Sequence, residues 1–306
     1  MKSFEEICRM TQQEVKAYMK KYLESKRYKV IDEDGFLYAK GDIPVLLVAH
    51  MDTVHKQVCK TINHAEDGRM SSPQGIGGDD RCGVYIIGQI LRSLRCSVLL
   101  CEDEEKGGVG ANKFAKTDYI HDLGVNYMIE FDRRGKNDAV FYSCDNKQFT
   151  DFVVYGTGYK EARGTYSDIS TLMPASKLCG VNLSSGYYNE HTTDEHVMFY
   201  EMTDTISTAI ALIKSPCDEP FVYKPRTYDN YKYEEDTQQL NMFGNYNIIE
   251  KARYDTAITL NVITVNSYNE EESRSSSGQT KAECWLNLFA DNPNLCFAQI
   301  VDYVFI

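Results

Sequence analysis

A chain of 306 residues, 42% hydrophobic and 25% charged, has the balance of a globular protein with room for one large domain and a smaller appendage. Its formal net charge of -12 argues against nucleic acid and anionic membrane surfaces as partners, because both select a basic face. No apolar run approaches a bilayer span, and Met1-Lys2-Ser3-Phe4-Glu5-Glu6 lacks the basic start and apolar core of a secretory leader, so the expected localisation is cytoplasmic.

Ten cysteines are scattered singly, with no C-x-x-C pair. Cys96, Cys101, Cys179 and Cys296 sit in or beside apolar runs. They read as reduced core residues, not as a disulfide framework or a thiolate zinc site.

Taken in order, residues 4 to 25 carry apolar groups at approximately helical spacing. Tyr28 to Ile31 and Phe36 to Ala39 flank the turn Asp32-Glu33-Asp34-Gly35 and predict two short strands. Val45 to Ala49 is a continuous apolar run, the pattern of a strand buried on both faces. Val58 to Ile62 and Arg69-Met70 predict a second small hairpin leaning over the end of that strand. A glycine-rich turn, Gly75 to Gly83, leads into an amphipathic helix from Cys82 to Leu91. Ser97 to Cys101 and Tyr127 to Phe131 are further predicted strands, with a short helix after Gly107 between them. Val181 to Leu183 ends in a loop leading to His191, and Val197 to Leu212 is helical.

Strands alternating with helices imply an α/β class: a mostly parallel, mixed central sheet with helices on both faces. Composition shifts near residue 216, which places a domain at 1–215 and an extension at 216–306. Residues 223 to 255 are crowded with Tyr, Asn and acidic groups. Ala257 to Val265 reads as a strand, and Glu270 to Thr280 as a flexible polar stretch. The period of Lys281 to Ala290 and of Cys296 to Phe305 does not decide between helix and strand.

The central strand runs into His50-x-Asp52, at the carboxyl edge where open α/β sheets bind ligands. There His50 can ligate a metal through one ring nitrogen while Asp52 accepts the proton on the other. Asp79/Asp80, Glu104/Glu105, Asp132 and His191 follow. The gaps 50 to 79, 79 to 105 and 105 to 132 each approximate one βα unit, so successive groups return to the same sheet edge. Two imidazoles with several carboxylates suit zinc, cobalt or manganese better than calcium or magnesium. A bridging carboxylate lets the set serve two metals, and a further carboxylate must stay free to take a proton from water. Asp80 competes with Asp79 for the bridge, Glu130 with Asp132 and His196 with His191. His55, His64 and His121 read as surface residues.

At this point the motifs resemble those of a known clan. Ala49-His50-Met51-Asp52-Thr53-Val54 is similar to the A-H-x-D-T-V of co-catalytic zinc exopeptidases, and Gly78-Asp79-Asp80-Arg81-Cys82-Gly83 to their G-A-D-D-[KR]-x-G. Asp103 to Ala111 resembles D-E-E-x-G-x-x-G-A, and Gly186 to His191 the G-Y-x-x-x-H of zinc aminopeptidases without a lid domain. The clan includes peptidase T-like tripeptidases, glutamyl-type aminopeptidases, carboxypeptidase G-like enzymes and small amino-acid deacylases. The resemblance covers about residues 1 to 215 and implies a phosphorylase/hydrolase-like fold. It implies two Zn2+ ions, one held by His50, Asp79 and Asp132 and the other by Asp79, Glu105 and His191, with Asp79 bridging. It further implies Glu104 as general base, Asp52 as the residue that orients His50, and supporting roles for Asp80 and Arg81. Arg163 to Asp168 resembles a loop near the clan's substrate pocket, which makes Asp168 a candidate substrate contact, against the plainer reading of a turn or helix cap. The gap from 132 to 191 is too short for an inserted lid.

The expected function is a dinuclear zinc aminopeptidase acting on small peptides. Two alternatives are an N-acyl amino-acid deacylase of the same clan and a non-hydrolytic metal-binding protein whose C-terminal extension recruits a partner.

Overall fold

The computed structural model describes residues 1–226 together with the backbone of three strands at 258–266, 271–278 and 295–305. Its organising element is β3 (Ile43–His50), buried from Val45 to His50. Burial on both faces follows from position. β6 (Cys96–Cys101) and β7 (Tyr127–Arg133) flank β3 in parallel, and the helices at Gly78–Ile90 and Asp168–Ser176 pack on it, so the side chains from Val45 to His50 meet other elements and not water. β10 (Gly180–Ser184) continues the parallel run beyond β7.

The edges are antiparallel. The hairpin of β1 (Val30–Glu33) and β2 (Phe36–Ala39) joins β6. On the far side β8 (Asp138–Val140) pairs antiparallel with β10 and parallel with β9 (Lys160–Ala162). The sheet order is β1-β2-β6-β3-β7-β10-β8-β9, a mixed eight-stranded sheet with a parallel centre.

The single helix expected over 4 to 25 is two, α1 (Phe4–Cys8) and α2 (Gln12–Ser25). The break has a local cause: Thr11 caps a new helix, accepting from the Glu14 amide while the Glu14 carboxylate accepts from the Thr11 amide. α3 (Gly78–Ile90), α5 (Lys147–Thr157) and α7 (Phe199–Lys214) form one helical group, with α1 against α3. α4 (Val109–Phe114) and α6 (Asp168–Ser176) form another. Both α3 and α6 contact β3 and β7, which places a layer on each face of the sheet.

A small sheet of β11 (Tyr187–Tyr188), β12 (His196–Met198), β5 (Arg69–Ser71) and β4 (Asn63–His64), in that order, is separate from the large one. The expected strand at Val58 to Ile62 is not formed. The paired arm is Asn63–His64 alone, because β5 offers only a short edge and its other edge is taken by β12. Residues 216–226 run on along the main sheet's unit: the Phe221 amide donates to Asn126, and the Cys179 amide donates to Phe221.

Contacts divide the chain into two units, Met1–Arg226 and Thr227–Ile306. In the second, β13 (Ile258–Asn266) pairs antiparallel with β14 (Glu271–Gly278) on one side and β15 (Leu295–Phe305) on the other. The strand expected at Ala257 to Val265 falls on β13. The serine-rich stretch expected to be flexible is instead β14, paired from Val265↔Glu271 to Ile258↔Gly278. Its ladder is backbone, so a polar composition does not prevent it. Cys296 to Phe305, undecided by period, is strand. From residue 227 onward the tyrosine-rich stretch lies outside the described residues, as does Lys281 to Ala290. Among the described residues no helix is long and apolar enough to cross a membrane.

Candidate metal centre

His50 is the last residue of β3 and is fully buried. Its backbone amide donates to Asp80 Oδ2 at 3.2 Å. Its ring is held between carboxylates: Nδ1 lies 3.1 Å from Asp52 Oδ1, and Nε2 lies 3.1 Å from Asp79 Oδ1 and 3.6 Å from Asp132 Oδ1. Burial alone would lower the imidazole pKa, but Asp132, Asp52 and Asp79 together push it well above its ordinary value.

Asp79 turns its other oxygen the opposite way. Oδ2 lies 3.2 Å from His191 Nε2, which is also 3.1 Å from Glu105 Oε1. Burial works against the Asp79 carboxylate, yet His191 and His50 hold its pKa well below the usual range. His191 is lifted to about 9, chiefly by Asp79. Its backbone takes a left-handed φ of 63° at the end of the turn after β11.

Burial, then the charge of Asp79, raises Asp132 to about 7. This carboxylate is fixed by hydrogen bonds: Tyr187 Oη donates to Oδ1 at 3.1 Å and Ser167 Oγ to Oδ2 at 3.2 Å. Glu130, the alternative on the same face of β7, is fully buried and takes a short hydrogen bond from Ser167. It does not reach His50.

The turn Glu104–Lys106 follows β6 and is tied from two directions. Asp52 Oδ1 accepts the Glu104 amide at 3.0 Å and Oδ2 the Glu105 amide at 3.1 Å. From the start of α2, Gln12 Oε1 accepts the Asp103 amide at 3.1 Å. Gly107 and Gly108, with φ of 94° and 66°, let the chain reverse into α4. Burial, reinforced by the neighbouring carboxylates, raises Glu104 to about 8. Glu105 is raised by burial and by Asp79.

Two sets of three groups bring ligand atoms within 4.8 Å of one another: His50, Asp79 and Glu105, and His50, Asp80 and Asp132. Asp80 is the weaker donor of the two aspartates. Its oxygens are already occupied by the backbone amides of His50 and of Gly83, the latter at 2.8 Å. Asp79 directs both of its oxygens at imidazoles. The residues fit a cation on a further count. Glu105 Oε1 is buried and makes no well-aligned hydrogen bond although His191 Nε2 lies 3.1 Å away, and no lysine or arginine is paired with Asp79, Asp132 or Glu105 among the described residues. Arg81 is buried nearby, but it donates to the carbonyls of Met51 and Met10.

The remaining candidates fall elsewhere. His196 stacks on Tyr188, ring centroids 5.3 Å apart, and belongs to neither group. Asp168 is fully buried and has no hydrogen bond on either oxygen. It lies beside the Cys101 thiol and exposes no surface to a ligand, with burial raising it to about 6. The helix cap is its neighbour Ser167. His64 pairs with Glu5 on the surface, and His121 is exposed. His55, expected on the surface, is largely covered and lies 2.6 Å from the fully buried Glu195. Sequence reasoning passed over Glu195 and gave no role to Ser167 or Tyr187, although both lie inside motifs it matched. Glu195 and Tyr187 lie close to His191 in the chain, but only the fold brings their partners to them.

A cavity of about 600 Å³ opens beside the cluster, lined by Asp52, Glu105, His55, Lys56, Arg81 and Lys106 among others.

No protein-family model matches the sequence, and no curated protein matches it. Solved structures do. Aminopeptidase PepT from Bacillus cereus superposes with a TM-score of 0.57 at 14% identity, over 69% of this chain and 96% of that one. A tripeptidase from Staphylococcus aureus gives a TM-score of 0.57 at 13% identity, over 69% and 96%. An aminopeptidase from the archaeon Desulfurococcus kamchatkensis gives 0.54 at 13%, over 70% and 95%. The chain therefore has the α/β fold of these aminopeptidases.

Proposed function

We propose that this chain is a metal-dependent peptide hydrolase, and more narrowly an aminopeptidase that acts on small peptides with two zinc ions. The observation that carries the reading is the pose of Asp79, one oxygen toward His50 and the other toward His191. A carboxylate so placed suits a bridge between two cations. On this reading His50, Asp79 and Asp132 would hold one ion, and Asp79, Glu105 and His191 the other. The mixed nitrogen and oxygen donors favour zinc, with cobalt or manganese as substitutes.

Bound there, such ions supply Lewis acidity toward the scissile carbonyl and acidify a water. The chain's own residues do the rest. Glu104, held by its amide and partly open, takes a proton from the attacking water and returns it to the departing amine. Asp52 fixes the His50 ring so that Nε2 faces inward. The likeness in fold to aminopeptidases supports a free amino terminus as the preferred substrate feature, over an N-acylated one. The described cysteines are all free, which supports a cytoplasmic setting.

The test is metal content together with cleavage of aminoacyl-arylamides, dipeptides and tripeptides, with their N-acetylated counterparts alongside. Chelator-sensitive cleavage of the free-amine members is expected. A metal-free protein, or one that cleaves none of the panel, refutes the proposal, and preference for the acetylated set converts it to a deacylase.

A further inference from the structure

Glu195 lies in the turn between His191 and β12, and its side chain is fully buried. Two backbone amides and one ring nitrogen converge on it. Oε1 accepts the Asp79 amide at 2.9 Å, while Oε2 accepts the Gly77 amide at 2.8 Å and meets His55 Nε2 at 2.6 Å. The two amides can only donate, and a carboxylate accepts from both and also from the His55 ring when its proton is on Nε2. The surroundings are shaped for this grip. A Cβ on Gly78 would lie 3.3 Å from Glu195 Oε1, 2.7 Å from Val197 and 2.8 Å from Tyr187. A Cβ on Gly75 would fall 2.1 Å from the His55 ring.

We infer that Glu195 is a positioning residue for Asp79, and that His55, by closing on Glu195, ties the cavity wall to the metal-binding segment. This rests on the reading of the cluster as a metal centre. Glu195 grips the backbone of the residue that faces both imidazoles, and it sits on the same turn as His191. One side chain thus sets the spacing between Asp79 and His191. His55 belongs to the segment that lines the cavity beside Asp52, so the same carboxylate joins that wall to the Gly77–Asp79 backbone.

The experiment is metal titration of the stripped full-length protein, with cobalt absorption and a competing chromophoric chelator as readouts, on wild type, E195Q, H55Q and E201Q. Glutamine keeps the size of Glu195 but must aim an amide N–H₂ at one of the donors. Glu201 is the comparator: it is buried and takes bonds from Tyr188 and Tyr200, none of them to the cluster's carboxylates or imidazoles. E195Q should weaken metal affinity by about 10- to 100-fold, the usual cost of removing a group that orients a ligand, and H55Q by less. E201Q should bind as wild type does. If E195Q fails to fold, E195D keeps the charge at shorter reach and should show the same loss. A wild-type affinity in E195Q, or an equal loss in E201Q, overturns the inference. Wild type that binds no metal overturns it together with the proposed function. Wild type that binds metal and cleaves nothing overturns the function alone, since the affinity comparison still stands.

Discussion

Asp52 holds Glu104 by its backbone: the oxygen that meets His50 Nδ1 at 3.1 Å also accepts the Glu104 amide at 3.0 Å. The His50 ring and the proposed base are thus referred to one carboxylate. D52N should disturb both, because an amide nitrogen must then face the Glu105 amide, His50 or the Glu104 amide. Metal affinity is expected to fall about 10- to 100-fold, with turnover falling even at saturating metal. Unchanged affinity together with unchanged turnover would show that Asp52 orients nothing.

Glu104 and Glu105 are neighbours with different surroundings. Glu105 Oε1 lies 3.1 Å from His191 Nε2, whereas Glu104 has no such pairing. E104Q keeps the shape and removes the base, so metal should stay bound while turnover falls by about two to four orders of magnitude. E105Q removes a direct donor, so metal stoichiometry should fall along with activity. Metal analysis and rates on both variants decide. Loss of metal from E104Q and retention by E105Q would mean the two roles are exchanged.

Much of this was legible in the sequence because strand ends carry it. An apolar run ending in His50 and another ending before Glu102 fix where side chains emerge, and βα spacing returns them to one edge. The fold class and the grouping of His50, Asp79, Glu105, Asp132 and His191 could therefore be anticipated. The choice between neighbours rests on the motif resemblance alone, because spacing and residue type do not make it. Asp79 and Asp80 differ only in what their oxygens meet, and Asp80 spends its own on the amides of His50 and Gly83. Glu130 and Asp132 share a face of β7 and both meet Ser167, and what separates them is distant in sequence: Tyr187 and the His50 ring reach Asp132. Glu195 left no local signal, since its partners are amides more than a hundred residues away. Polar strands such as β14 are set by pairing, which composition does not report.

Tyr38 supplies a test of the core away from the site. Its hydroxyl is buried without a hydrogen bond, and its ring packs 5.1 Å from Phe114. Burial raises its pKa from the ordinary 10.0 to about 12. The folded state thus holds this proton more tightly than the unfolded chain. The associated stability is fully present below pH 10 and is lost as pH rises through 12. Y38F keeps the packing and discards both the unpaired hydroxyl and its titration. At pH 8 it should match wild type or exceed it by up to about 2 kcal/mol. Between pH 8 and 11 its Tm should fall less than that of wild type. Denaturation of both proteins at the two pH values checks this, and a clear loss at pH 8 would reveal a partner for the hydroxyl.

Metal uptake should release protons. In the metal-free chain burial raises Asp132 to about 7 and Glu104 to about 8, and Asp79 lifts His191 to about 9. At pH 7 the site therefore retains protons on Glu104, on His191 and on the His50 ring, whose pKa its three aspartate neighbours push well above the ordinary value, and part of one on Asp132. Ligation requires His50 and His191 each with a free nitrogen lone pair and Asp132 as carboxylate, and nearby cations favour the charged form of Glu104. Protons are products of binding, so affinity should rise with pH from 6 to 9 and weaken steeply below 6. Zinc added to the stripped protein in weak buffer at pH 7 should acidify a pH indicator. E104Q, which has no carboxyl proton to lose there, should bind the same amount of metal and release less acid. Affinity that is flat across this range, with no acid released, would mean that these groups do not bind the metal.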